Sequence, residues 1–242
     1  MNLRILKTAI LAISLLTGVQ GTQAQDARTP YPAMAPLSQY LMADRDAEIA
    51  LAKSAAPAAI SGDAAVLVLT KSGYQTAIEG KNGFTCIVER SWMSPFDSPQ
   101  FWNPRMRGPI CYNPPATRSV LLYTLNRTTL VLSGLSKDQV KQKIEAAVDG
   151  KQLPVPEAGA MSYMLSKDGY LNDAVEHWHP HLMFHIPTTD AASWGADLPG
   201  SPILVDTQFP PGPEPETIFM VPVGNWSDGT PDAAGSSGPH QH

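Results

Sequence analysis

Charge is scarce in this chain of 242 residues: Lys, Arg, Asp and Glu make up 16% of it, against about a quarter in an average globular protein. Basic residues are the scarcer half, 17 against 22 acidic ones, for a formal net charge of −5. That balance excludes a protein that grips nucleic acid through a basic face. Cysteine is rarer still: Cys86 and Cys111 alone cannot make a disulfide-dense miniprotein or a cysteine-rich zinc module. Several catalytic signatures are missing too. There is no Gly-x-Ser-x-Gly elbow, no Ser-x-x-Lys, no phosphate-cradling glycine loop, no dinucleotide fingerprint and no His-Glu-x-x-His. What is present is a 43% hydrophobic share, enough for one core, and 23 prolines, about twice the usual proportion.

The longest apolar run stands at the start. Arg4 and Lys7 precede Thr8 to Val19, a stretch too short for a bilayer, which needs ~20 residues. Thr22-Gln23-Ala24 then puts small residues at the two positions a signal peptidase reads. The pattern predicts a cleaved signal peptide over 1–24 and an exported protein, periplasmic or secreted, with no transmembrane segment in the mature chain. Cleavage removes two basic groups and no acidic one, moving the net charge from −5 to −7. In an oxidising compartment Cys86 and Cys111 are expected to pair, a closure worth roughly 3–3.5 kcal/mol by loop entropy. A catalytic thiol is the alternative.

Residues 25–36, rich in Pro, Ala and Gln, predict a flexible leader, and the polar stretch 227–242 predicts a disordered tail. Between them, 37–226 reads as one domain. Leu41, Ile49, Ala52 and Ala56 recur at helical steps up to Pro57. Runs at 64–70, 74–78 and 84–88, separated by Lys-Ser-Gly and by Gly-Lys-Asn-Gly, predict a three-stranded antiparallel meander. Residues 119–132 are read as a helix. Ser136 with Gln139 matches a capping box, followed by an apolar face at Val140, Ile144, Ala147 and Val148 and a stop at Gly150. Strands are expected at 160–166, with a return beginning at Tyr170-Leu171, and at 181–186, 203–206 and 217–223, the last at an edge because of Pro222. The sum is an α+β fold with a mainly antiparallel sheet.

Residues 91–117 hold six prolines and the aromatics Trp92, Phe96, Phe101, Trp102 and Tyr112, with Arg105 and Arg107, and show no sustained period. So long a loop has a role or is pinned. Two readings stand: a lid whose aromatics cover an apolar ligand while the arginines hold an acid, or a cap on one end of the core.

Four of the six histidines fall within nine residues, in Glu176-His-Trp-His-Pro-His-Leu-Met-Phe-His-Ile186. In an extended strand His177, His179, His181, Met183 and His185 share one face, and Trp178, Pro180, Leu182, Phe184 and Ile186 form a core stripe on the other. Histidines two apart can converge on one Zn or Cu ion, and Met161, Met164 and Met183 would suit Cu(I). The span from His177 to His185, roughly 26 Å, forbids one site using all four. His179 and His181 are the central pair, with Asp173 or Glu176 nearby. The alternative is a histidine-lined groove that binds no metal.

The strings Gly169-Tyr-Leu-Asn-Asp173, His177-Trp-His-Pro-His181 and Phe101-Trp-Asn-Pro104 resemble those of a family of exported bacterial proteins of unassigned function, over roughly residues 58–230. The resemblance implies an exported bacterial protein and carries no activity or catalytic residue. Three functions fit the sequence. The first is a binding protein whose pocket, between the histidine strand and the aromatic loop, takes a transition metal or a small polar molecule. The second is a metal-dependent hydrolase with Glu176 or Asp173 as general base. The third is an envelope module whose aromatic loop meets a protein partner.

Overall fold

The structure, a computed structural model, describes residues 30–233 except 174, 206, 208 and 209. The expected signal peptide lies outside the described residues. Among the described residues seven strands form one sheet: β1 (Ala65–Thr70), β2 (Gly73–Ile78), β3 (Thr85–Glu89), β4 (Gly108–Tyr112), β5 (Met161–Met164), β6 (His181–Pro187) and β7 (Glu216–Pro222). Their order is β2-β1-β3-β4-β5-β6-β7. All neighbours are antiparallel except β1 and β3, which run parallel. Helices α1 (Arg45–Lys53), α2 (Ala58–Ser61), α3 (Pro114–Arg118), α4 (Leu121–Leu132) and α5 (Lys137–Asp149) complete an α+β domain. Among the described residues no helix is long and apolar enough to cross a membrane.

The expected meander is corrected. β2 pairs with β1, but β3 does not continue beside β2; the chain crosses the start of β1 and lands on its other side. Gly80 makes the crossing possible, since a Cβ there would lie 2.3 Å from the Ala65 nitrogen. Lys81 N–H donates to the Asp63 carbonyl (2.7 Å), Ala65 N–H to the Phe84 carbonyl (2.8 Å), and the Asn82 amide to the Ile60 carbonyl (2.7 Å). Burial explains the choice. Every residue of β3 and β4 is buried, whereas β2 exposes Gln75 and Thr76. The apolar strands take the middle and the polar one an edge.

The helix expected over 37–56 also breaks. Leu37–Gln39 forms a 3-10 turn, and Asp44 then caps α1 by accepting from Asp46 N–H (2.9 Å) and Ala47 N–H (3.2 Å). On one face of the sheet, Ala52, Ala55 and Ala56 pack on Val66, Val88 and the Cys86–Cys111 disulfide, which joins directly opposed residues of β3 and β4. On the other face, Ala116, Val120, Leu121 and Tyr123 of α3, α4 and their junction cover Ile87, Ile110 and Tyr112. The capping box forms as expected at α5.

The aromatic segment supplies a third core. Trp92 and Trp102 are buried with Phe96, Phe101, Tyr40, Val131, Val140 and Ile144. The Trp92 indole N–H donates to Thr128 Oγ1 (2.9 Å). Arg127 ties the layers together: it makes a buried bidentate pair with Glu214 (2.6 Å on both arms), donates to the Trp92 and Ser94 carbonyls (3.1 Å each), and lies 4.4 Å over the Phe96 ring.

Three boundaries move. From the expected leader, Tyr31, Met34 and Ala35 pack on the aromatic core. The strand expected at 203–206 is a single bridge from Leu204 to Met220. Residues 227–233 of the expected tail fold back, with Ser227 N–H on the Leu165 carbonyl (2.9 Å) and Lys167 paired with Asp228 (2.5 Å).

Candidate functional site

β6 begins at His181, where a strand was expected, so of the four clustered histidines only His181 and His185 stand on it, and the extended face considered from His177 onward starts four residues later. Within the strand the burial is the reverse of the expectation. His181 and His185 are buried, 4% and 2% exposed, while Phe184 on the opposite face is 37% exposed. The cause is coverage. α1 shields that opposite face over β1, β3 and β4, but above β7 the 3-10 turn Ala191–Trp194 supplies the Trp194 ring, stacked on Phe219 at 5.0 Å.

Histidine can sit inside because its nitrogens are partnered. His185 Nδ1 lies 2.9 Å from Glu216 Oε2 and Nε2 lies 3.0 Å from Ser162 Oγ. The carboxylate only accepts, so Nδ1–H donates to it and Nε2 accepts from Ser162. This is the contact order of nucleophile, base and orienting acid, but Ser162 is fully buried and no substrate reaches its Oγ. It is a polar bridge across β5, β6 and β7. Beside it, Tyr112 Oη–H (2.6 Å) and Thr124 Oγ1–H (2.9 Å) donate to Glu89. Burial raises the Glu89 carboxyl and holds the Tyr112 phenol well above its ordinary range.

His181 is different. Its Nδ1 lies 2.7 Å from the His179 carbonyl oxygen, which can only accept, so the proton is on Nδ1 and Nε2 carries a lone pair. Burial drives this imidazole down to about 4, the backbone bond to His179 partly opposing it, so it is neutral at physiological pH. The Trp178 ring meets it edge-on at 4.6 Å. His181 lines a cleft with Pro109, Met164, Ser166, Gly169, Leu171, His177 and Trp178. The cavity within the cleft is about 20 Å³, room for little more than one water-sized group and far below the ~300–1,000 Å³ of sites for drug-sized ligands. It suits an ion or a single polar group.

The remaining expected site residues scatter. His179 Nδ1 is 2.5 Å from Asp232, and His177 is exposed, its ring 5.7 Å from that of Trp226. Asp173 accepts from Tyr31 (2.6 Å), Tyr170 (2.5 Å), Asn103 (3.0 Å) and Arg105 (2.5 Å). The two tyrosine hydroxyls lead in holding its carboxyl down at about 2. Glu176 is exposed on a turn with left-handed backbone, φ 57°. Arg105 stacks on Tyr170 at 4.7 Å, and Arg107 donates to the carbonyls of Pro104 (2.9 Å), Met106 (2.7 Å) and Gln39 (3.2 Å). Tyr170, expected to start a return strand, instead bridges Arg107. Among the described residues no group of three or more His, Cys, Asp or Glu side chains is arranged to hold a metal ion. Ser162, Glu89, Glu214 and Glu216 had no sequence signal, because the partner of each lies far along the chain on another strand or helix.

No family model, curated protein or solved structure matches the chain. Its class rests on what the fold defines, an α+β domain with a histidine-walled cleft at the open ends of β4, β5 and β6.

Proposed function

We propose that this is an exported binding protein whose site is the cleft between residues 177–181 and the turn 166–171. The observation that supports it is His181: a buried, neutral imidazole that lines the cleft, its tautomer set by the His179 carbonyl so that Nε2 is left as an acceptor. A group so disposed accepts a hydrogen bond or a coordinate bond. The ligand is a transition-metal ion or the polar end of a small molecule, since the cavity takes little more than one water-sized group. The hydrolase reading is weaker, because a carboxylate held at about 2 by four donors, as Asp173 is, makes a poor general base. The envelope-module reading loses its aromatic contact surface, since Trp92 and Trp102 lie in the core.

The test uses protein labelled with ¹⁵N-histidine and followed by long-range ¹H–¹⁵N correlation. Zn(II), Cu(I) and small hydrogen-bond donors such as phenol and acetamide are added in turn. At least one probe shifts the His181 Nε2 resonance and leaves that of His185 in place. A His181 signal that none of them moves refutes the proposal.

A further inference from the structure

Resting on that binding reading, we propose that the cleft is a site for a cuprous ion, with Met164 Sδ and His181 Nε2 as anchoring ligands and His177 completing it from the rim. Met164 and His181 are direct partners across β5 and β6. Opposed residues of an antiparallel pair point to the same face with Cβ atoms ~4.5–5.5 Å apart, close enough for a thioether and an imidazole to share one ion. Both side chains line the cleft, as does His177.

The donor chemistry selects the metal. A thioether is a soft ligand, suited to Cu(I) and indifferent to Mg, Ca or Mn. None of the side chains lining the cleft is a carboxylate or a thiolate, the ligands that hard cations and structural zinc favour. Two neutral nitrogens and a neutral sulfur suit a monovalent cation. His181 is set for ligation before any ion arrives, because its Nδ1–H is tied to the His179 carbonyl, the arrangement that fixes metal-binding histidines elsewhere. Pro109, Leu171 and the Trp178 ring supply the carbon part of the site's wall.

The experiment is an anaerobic competition for Cu(I) against bicinchoninate, using the full chain without an affinity tag and with His240→Ala and His242→Ala to silence the tail. The expected result is one Cu(I) per chain, at least tenfold weaker binding in Met164→Leu, a volume-conserving change, and a similar loss in His177→Ala, with near-UV circular dichroism unchanged. His177 is exposed, so its variant serves if Met164→Leu disturbs packing. Failure of the parent to take Cu(I), or binding as tight as the parent's in either variant, overturns the copper proposal. If phenol, acetamide or Zn(II) still shifts His181, the cleft reading survives that failure; if nothing shifts it, both fall.

Discussion

Acid should weaken this protein through His181, and the amount follows from where that residue sits. In the unfolded chain the imidazole titrates at its ordinary 6.5, and in the folded protein at about 4. Between those values the unfolded chain binds a proton that the folded one refuses, so falling pH favours unfolding. The contribution is fully present above pH 6.5 and is lost as pH falls through about 4, below which both states are protonated and the loss levels off. The slope inside the window is about 1.4 kcal/mol per pH unit, which makes the loss between pH 7.5 and 5 about 2 kcal/mol, or roughly 4–8 °C in Tm for a chain of this size. Other groups titrate in the same range, so the assay is a difference. Urea unfolding of the parent and of His181→Gln, which keeps a donor for the His179 carbonyl, is measured at half-unit steps from pH 7.5 to 4.5. The gap between the two stability curves narrows by about 2 kcal/mol toward pH 5. A gap that stays constant refutes the assignment of His181 as a buried neutral imidazole, and with it the lone pair on which the cleft reading depends.

Two further outcomes separate structural from catalytic roles. Arg127→Met strands a buried Glu214 carboxylate and should cost about 3–5 kcal/mol in chemical denaturation, whereas Arg105→Ala, on a pair whose arginine is 61% exposed, should leave the unfolding midpoint nearly unchanged. Ser162, despite its histidine and glutamate partners, should resist a fluorophosphonate probe, and Ser162→Ala should cost about 1–3 kcal/mol of stability; covalent labelling of Ser162 in folded protein would refute its role as a buried polar bridge.

What the sequence made legible was local. The Ser136–Gln139 capping box, the apolar run of β1 and the turn that leads to β2, the Cys86–Cys111 pair and the edge position of Pro222 each depend on residues close in the chain or on chemistry with one main solution. The position of β3 was not legible, because Asn82-Gly83 suits a hairpin as well as a passage over β1. The passage is decided by which strand needs neighbours on both sides. The histidine strand failed for a related reason. Alternation correctly separated His181, Met183 and His185 from Leu182, Phe184 and Ile186, but which set faces inward depends on where helices lie. Polarity alone points the wrong way when Ser162 and Glu216 stand ready to satisfy His185. Asp173 looked like a free acid beside the histidines until Tyr31, some 140 positions earlier in the chain, closed on it.

The outer strand of the sheet has a consequence for how these molecules meet one another. An unpaired strand edge invites a strand from a second chain. At β7 the invitation is withdrawn twice: Leu204 exchanges both backbone hydrogen bonds with Met220, 2.9 and 2.8 Å, and Pro222 has no N–H to offer. A visiting strand finds its middle rung occupied and its last rung missing a donor. At high concentration the far edge, β2, with exposed Gln75 and Thr76, is therefore the more open border for sheet-to-sheet stacking of chains, and a lysine or proline placed there would be the economical way to keep the protein dispersed.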